Sequence, residues 1–148
     1  MDVRMVDVTG KDEVYREATA TGFIRLKPST IEAVRKGLVE KGDVLAASTI
    51  AAILGVKETP RVLPLTHNIP ITHVKVDFTV LDEGIRVHVT VKTTAKTGVE
   101  MEALMGVAAA LLNIWDMVKK YEKDEKGQYP DTLITDVRVV EKRKGDYQ

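Results

Sequence analysis

Asp116 and Lys119 stand three residues apart in a stretch with helical spacing, so they share one helix face. A lysine beside a carboxylate is suited to acid–base work, since each partner can hold or release a proton. The same spacing also makes ordinary surface ion pairs, and from the residues alone that plainer reading is favoured. Lys41 precedes Gly42-Asp43 at the start of an expected helix, where backbone N–H groups can receive an anion. By itself it reads as a solvated lysine in a turn. His67 sits in a proline-flanked loop, a place for a proton donor or phosphate ligand, or for a histidine bonded to backbone. His73 and His88 are weaker candidates. Glu100 fits a capping box with Thr97, which gives it a structural role. Glu102 fits none, and a regular helix points it away from Glu100. Arg16 lies on an expected strand and is equally suited to phosphate or to an ordinary strand face.

The chain narrows the chemistry further. It has no cysteine, which excludes disulfides, a thiol nucleophile and Cys-ligated zinc. Its histidines show no close metal-ligand spacing, so no metal is expected. Lys plus Arg and Asp plus Glu both count 22, so any anion site must be a local cluster rather than a global field. With that balance and only two Phe, a nucleic-acid-binding sheet is poorly supported. Ala103 to Trp115, the most apolar stretch, is too short to span a bilayer, and Met1 to Met5 lacks the apolar core of a signal peptide. No membrane contact is expected, and a cytoplasmic location fits.

The elements that must position these residues follow from period and punctuation. The 148 residues suit one domain, with residues 1–12 expected to be mobile. Val14 to Leu26 reads as a strand. Ser29 and Glu32 form a capping-box pattern for a short helix ending near Gly37. A second helix is expected from Asp43 to Leu54, with Gly55 as its stop, and then a loop over Thr59 to Pro70. Val74, Val76, Phe78 and Val80 alternate with polar residues, as do Ile85, Val87, Val89 and Val91. This is a hairpin, and pairing Val80 with Ile85 puts the apolar row on one face and His88 opposite Asp77. The longest helix is expected over Gly98 to Glu122 and a last strand over Leu133 to Val140. The order predicts an α+β fold: a ferredoxin-like split βαβ antiparallel sheet packed by helices, with an added helix.

Four segments taken together carry a resemblance: Lys41-Gly42-Asp43, Pro64-Leu65-Thr66-His67, Lys96-Thr97-Gly98-Val99-Glu100-Met101-Glu102-Ala103-Leu104 and Asp116-Met117-Val118-Lys119. In this order and spacing they resemble the cyclic pyranopterin monophosphate synthase family of molybdenum-cofactor biosynthesis. Met5-Val6-Asp7-Val8 and Arg16-Glu17-Ala18 are similar to further family segments, so the likeness runs from Met5 to Asp146. The chain departs at Thr66, where the family has Cys, and at Asn68, where it has Pro. It departs again at Trp115 and Val118, and its tail from Lys142 is about three residues shorter.

The resemblance implies a lyase acting on 3′,8-cyclo-7,8-dihydro-GTP, a small nucleotide-derived substrate, and releasing cyclic pyranopterin monophosphate and pyrophosphate. It implies Lys41, Asp116 and Lys119 as catalytic groups. Leu65, Thr66, His67, Met101 and Glu102 would contact substrate, with Glu100, Arg16 and Lys142 as further candidates. No redox change is required, so no cofactor is implied. These enzymes look like homohexamers, trimers of dimers with sites at subunit interfaces. Helix arithmetic agrees, because Glu102 and Asp116 are fourteen residues and about 21 Å apart along one helix. The competing expectation is a non-enzymatic ligand-sensing module of ferredoxin-like fold.

Overall fold

The computed structural model describes residues 1–145. Asp146, which closes the resemblance, lies outside the described residues, as do the last two residues of the chain. The elements in chain order are β1 (Val14–Arg25), α1 (Pro28–Arg35), α2 (Val44–Val62), β2 (Ile71–Val80), β3 (Gly84–Ala95), α3 (Glu100–Glu122) and β4 (Leu133–Gly145). The sheet order is β2-β3-β1-β4 and every neighbouring pair is antiparallel. Each crossover therefore skips one strand: β3 lies between β1 and β2, and β1 lies between β3 and β4. That is the split βαβ arrangement of an α+β fold, with α1 as the extra helix.

Alternation sets the sheet's register. Val80 pairs with Ile85 and Asp77 with His88, as one buried face requires. Ala18, Ala20 and Ile24 of β1 and Ile85, Val87, Val89 and Val91 of β3 are buried on that face. Onto it pack Ala103, Val107, Ala110, Leu111, Ile114 and Val118 of α3. This helix has the length and apolar content of a membrane span, but half of its apolar window is buried within the fold, as in a core helix.

Several helix boundaries differ from the sequence expectation. α2 does not stop at Gly55 but runs on to Val62, with Pro60 in its last turn. Gly55 is there for space. A Cβ on it would lie 2.8 Å from the Met105 carbonyl oxygen and 2.7 Å from the Ala109 Cβ, so only glycine lets α2 cross α3 this closely. The loop expected from Thr59 accordingly begins after Val62. Neither capping box forms. Lys27 occupies the N-cap of α1 and Val99 that of α3, neither with a side-chain cap. The α1 terminus is capped from a distance by Glu122. Its buried carboxylate accepts the Lys27 N–H at 3.0 Å, the Thr30 hydroxyl, and the Thr132 hydroxyl at 2.6 Å. β4 extends past Val140 to Gly145 because β1 offers partners as far as Tyr15, which puts Lys142 and Lys144 on a strand.

Candidate active site

The candidate residues gather in two places, one near each end of α3. Asp43 starts the first. Its Oδ1 accepts the Ala46 N–H at 3.0 Å and caps α2, while Gly42 takes a φ of 112° in the turn before it. This turn aims Lys41 at α3. Lys41 Nζ donates to Asp116 Oδ2 at 3.0 Å and to the Asp116 carbonyl at 3.2 Å. Lys119 Nζ donates to Asp116 Oδ1 at 2.9 Å. The three residues expected to carry proton transfer are thus one connected group, with all three side chains about half exposed.

Its electrostatics follow from those bonds. Hydrogen bonds from Lys119 and then Lys41 hold the Asp116 carboxyl below its ordinary range. The bond to Asp116 raises the Lys119 ammonium above its ordinary value. Both groups therefore stay charged at neutral pH, two ammoniums around one carboxylate. The surplus positive charge suits an oxyanion, and Lys119 can act as an acid whose proton is steadied by its partner.

The second place is a cavity of about 310 Å³ at the start of α3. Leu65, Thr66 and His67 form one side, and Thr97, Gly98, Glu100, Met101 and Glu102 another. The third side is the N-terminal segment, through Val6, Val8 and Lys11. Glu102 is 4% exposed. Burial pushes its carboxyl above the ordinary range, and the nearby Glu100 charge adds to this, against a lowering by its own backbone hydrogen bond. His67 Nε2 lies 2.7 Å from the Val6 carbonyl and donates to it. Lys96 Nζ donates to the Thr9 carbonyl at 3.1 Å.

Two further candidates serve this place from below. Arg16 is not displayed on an open strand face. It is 6% exposed, and its guanidinium donates to the Ala95 carbonyl at 3.0 Å and the Lys96 carbonyl at 3.2 Å. It braces the turn that leads into α3. Lys142 reaches across from β4 to Glu100 Oε2 at 3.6 Å, and among the described residues the buried Glu100 Oε1 has no hydrogen-bond partner. The absent capping box leaves Glu100 folded over Gly98 instead, with Oε1 only 2.0 Å from where a Cβ would sit.

A larger cleft of about 430 Å³, lined by Tyr15, Thr72, His73, Lys92 and Thr94, holds none of these candidates apart from the weaker His73. Size does not choose the site; the convergence of ionisable groups does. Among the described residues, no three His, Asp or Glu side chains converge closely enough to hold a metal ion. Sequence reasoning missed Val8 and Lys11 as walls of the cavity, although the Met5-Val6-Asp7-Val8 likeness already pointed to the N-terminal segment.

Comparison with known proteins points to one family. A probable cyclic pyranopterin monophosphate synthase of Aeropyrum pernix is 62% identical, over 95% of this chain and 97% of its own. Proteins of the same description from Archaeoglobus fulgidus and Thermococcus kodakarensis are 61% and 57% identical, each over 97% of this chain and 92% of its own. The MoaC family profile matches residues 5–145, and the chain belongs to the MoaC family.

Proposed function

We propose that the chain acts as a cyclic pyranopterin monophosphate synthase in molybdenum-cofactor biosynthesis, a lyase converting 3′,8-cyclo-7,8-dihydro-GTP to cyclic pyranopterin monophosphate and pyrophosphate. The observation that carries this reading is the Lys41–Asp116–Lys119 group, found in a chain with this family membership. The reaction opens an imidazole ring, closes a pyrazine ring and turns a sugar hydroxyl onto the α-phosphorus. The new P–O bond replaces the bond to the β-phosphate oxygen, and pyrophosphate departs. Lys119 supplies a proton, Asp116 holds both ammoniums in place, and Lys41 steadies phosphate charge. Glu102, His67, Met101, Leu65 and Thr66 contact the substrate, with Arg16 and Lys142 ordering the start of α3.

One chain does not bring these roles together. α3 runs unbroken from Glu100 to Glu122, so Glu102 and Asp116 stay about 21 Å apart. The reading therefore includes a homohexamer, a trimer of dimers in which one subunit's Glu102 end meets another's Asp116 end. Between the two places Leu112 of α3 is 60% exposed, and α2 also exposes Ile50 and Leu54, apolar side chains that a second copy could cover. A nucleotide-derived substrate supports a cytoplasmic location.

The test is incubation of the assembled protein with the cyclised nucleotide, followed by mass spectrometry. Appearance of the cyclic phosphate with pyrophosphate is the expected result. Unchanged substrate with folded, assembled protein refutes the reading, and tight binding without turnover would make the chain a sensor.

A further inference from the structure

Most cations near the two places are already committed. Lys41 and Lys119 hold Asp116, Lys142 faces Glu100, and Lys96 donates to the Thr9 carbonyl. Arg16 is spent on two backbone carbonyls. Lys11 differs. It lines the cavity that holds Glu102, and among the described residues its ammonium has no hydrogen-bond or ion-pair partner. Glu102 lies on another wall of the same cavity, yet no ion pair joins the two.

The position of Lys11 is braced although it belongs to no helix or strand. Its N–H donates to the Val8 carbonyl at 3.0 Å, closing a turn. Asp7 Oδ1 accepts the Thr9 N–H at 2.8 Å and the Thr9 hydroxyl at 2.6 Å, and so shapes that turn. His67 and Lys96 fasten the Val6 and Thr9 carbonyls to the body of the protein. The segment is thus a strap tied at two carbonyls, and it brings Lys11, whose ammonium is uncommitted among the described residues, to the cavity wall.

We infer that Lys11 is a phosphate-binding residue of this site, delivered by the N-terminal strap to oxygens of the substrate's triphosphate. The inference rests on the proposed reaction for the identity of the ligand. Phosphate is the class that fits. An ammonium is a compact charge with three donors and no planar fork, and it meets a phosphate oxygen without a fixed orientation. The base of the substrate presents no anion to it. Because the strap is exposed and held by few bonds, it can lift for substrate to pass and then return Lys11 to the phosphates.

Calorimetric titration of the full-length assembled protein with inorganic pyrophosphate tests this, alongside KM and kcat for the cyclised nucleotide. Lys11→Gln should weaken pyrophosphate binding and raise KM by about five- to thirtyfold, with a smaller fall in kcat. Lys11→Arg should restore most of the affinity, which a merely structural role would not predict. Lys96→Met leaves the Lys11 charge intact but unfastens the strap. It should weaken pyrophosphate and speed amide exchange in residues 5–11. Pyrophosphate affinity of Lys11→Gln within about twofold of wild type overturns the inference, as does absence of millimolar pyrophosphate binding by the wild type. If pyrophosphate binding depends on Lys11 but the cyclised nucleotide is not converted, the reaction fails and the phosphate site stands. Conversion with full indifference to Lys11→Gln gives the reverse.

Discussion

Asp116 and Glu102 are carboxylates on one helix, and their surroundings drive them in opposite directions. Two ammoniums hold Asp116 ionised, while burial favours the neutral form of Glu102. Opposed shifts of this kind divide acid and base roles. Asp116→Ala and Lys119→Ala should each lower turnover by about 10²–10⁴-fold, since a positioned proton donor or its partner is lost. Both side chains are about half exposed, so melting should barely change. Pyrophosphate release near the wild-type rate would reduce the pair to a surface salt bridge. Glu102 has a consequence for stability. Its folded carboxyl holds a proton more tightly than the unfolded one, whose value is near 4.5. The stability linked to that proton is fully present below the unfolded value and is lost as pH rises through the folded value. Glu102→Gln should therefore melt above wild type at pH 7, and the gap should close towards about pH 4. A constant gap across that window would show that burial of the charge is not its cause. The acid limb of the pH–rate profile should also move in Glu102→Gln and stay in place in Lys11→Gln.

α2 and α3 bring Lys41 to Asp116, and their close crossing depends on Gly55. Alanine at an open helical position stabilises by about 1 kcal/mol. Here its Cβ would press on the Met105 carbonyl and Ala109, and overpacking of that kind costs about 1–3 kcal/mol. Gly55→Ala should thus lower the melting temperature by roughly 2–4 °C rather than raise it. Glu122 ties α1 to the far end of α3, and Glu122→Ala should cost about 2–4 kcal/mol by leaving the Lys27 N–H and two threonine hydroxyls without their acceptor. Denaturant melts check both. These contacts explain what the sequence allowed to be read. The hairpin register was legible because a period of two admits one buried face, and Val80 does pair with Ile85. The end of α2 was not legible, because Gly55 and Pro60 are local stop signals overruled by packing against α3. Both capping boxes failed for a related reason: a distant Glu122 serves one terminus, and at the other Glu100 lies over Gly98 with its second oxygen facing Lys142 of β4. Lys41, Asp116 and Lys119 could be named from motifs, but their convergence spans 75 positions and is a property of the helix crossing. Lys11 lies in a segment without any period, so only the fold places it beside Glu102.

The candidate residues of the chain gather near the two ends of one unbroken helix, α3. A helix of 23 residues cannot bend Glu102 back to Asp116, and Gly106 within it is occupied in packing against Ala52 and Val56 of α2. A second copy with its α3 antiparallel, related by a two-fold axis near the helix midpoint, would oppose each Glu102 to the partner's Asp116 end. In that arrangement Leu112, exposed in the single chain, would leave solvent. The arrangement predicts complementation. Glu102→Ala and Asp116→Ala chains should each be nearly inactive alone. Unfolded together and reassembled, half of their dimers are mixed. In a mixed dimer one site carries both substitutions and the other carries neither. About a quarter of wild-type activity should return on counting the sites. Mass spectrometry of intact assemblies, with one variant isotopically labelled, verifies that subunits have exchanged. If mixed assemblies form and activity stays at the level of the single variants, the site does not combine Glu102 of one chain with Asp116 of another. The shared-site arrangement then fails, while the reaction itself remains open to the direct assay.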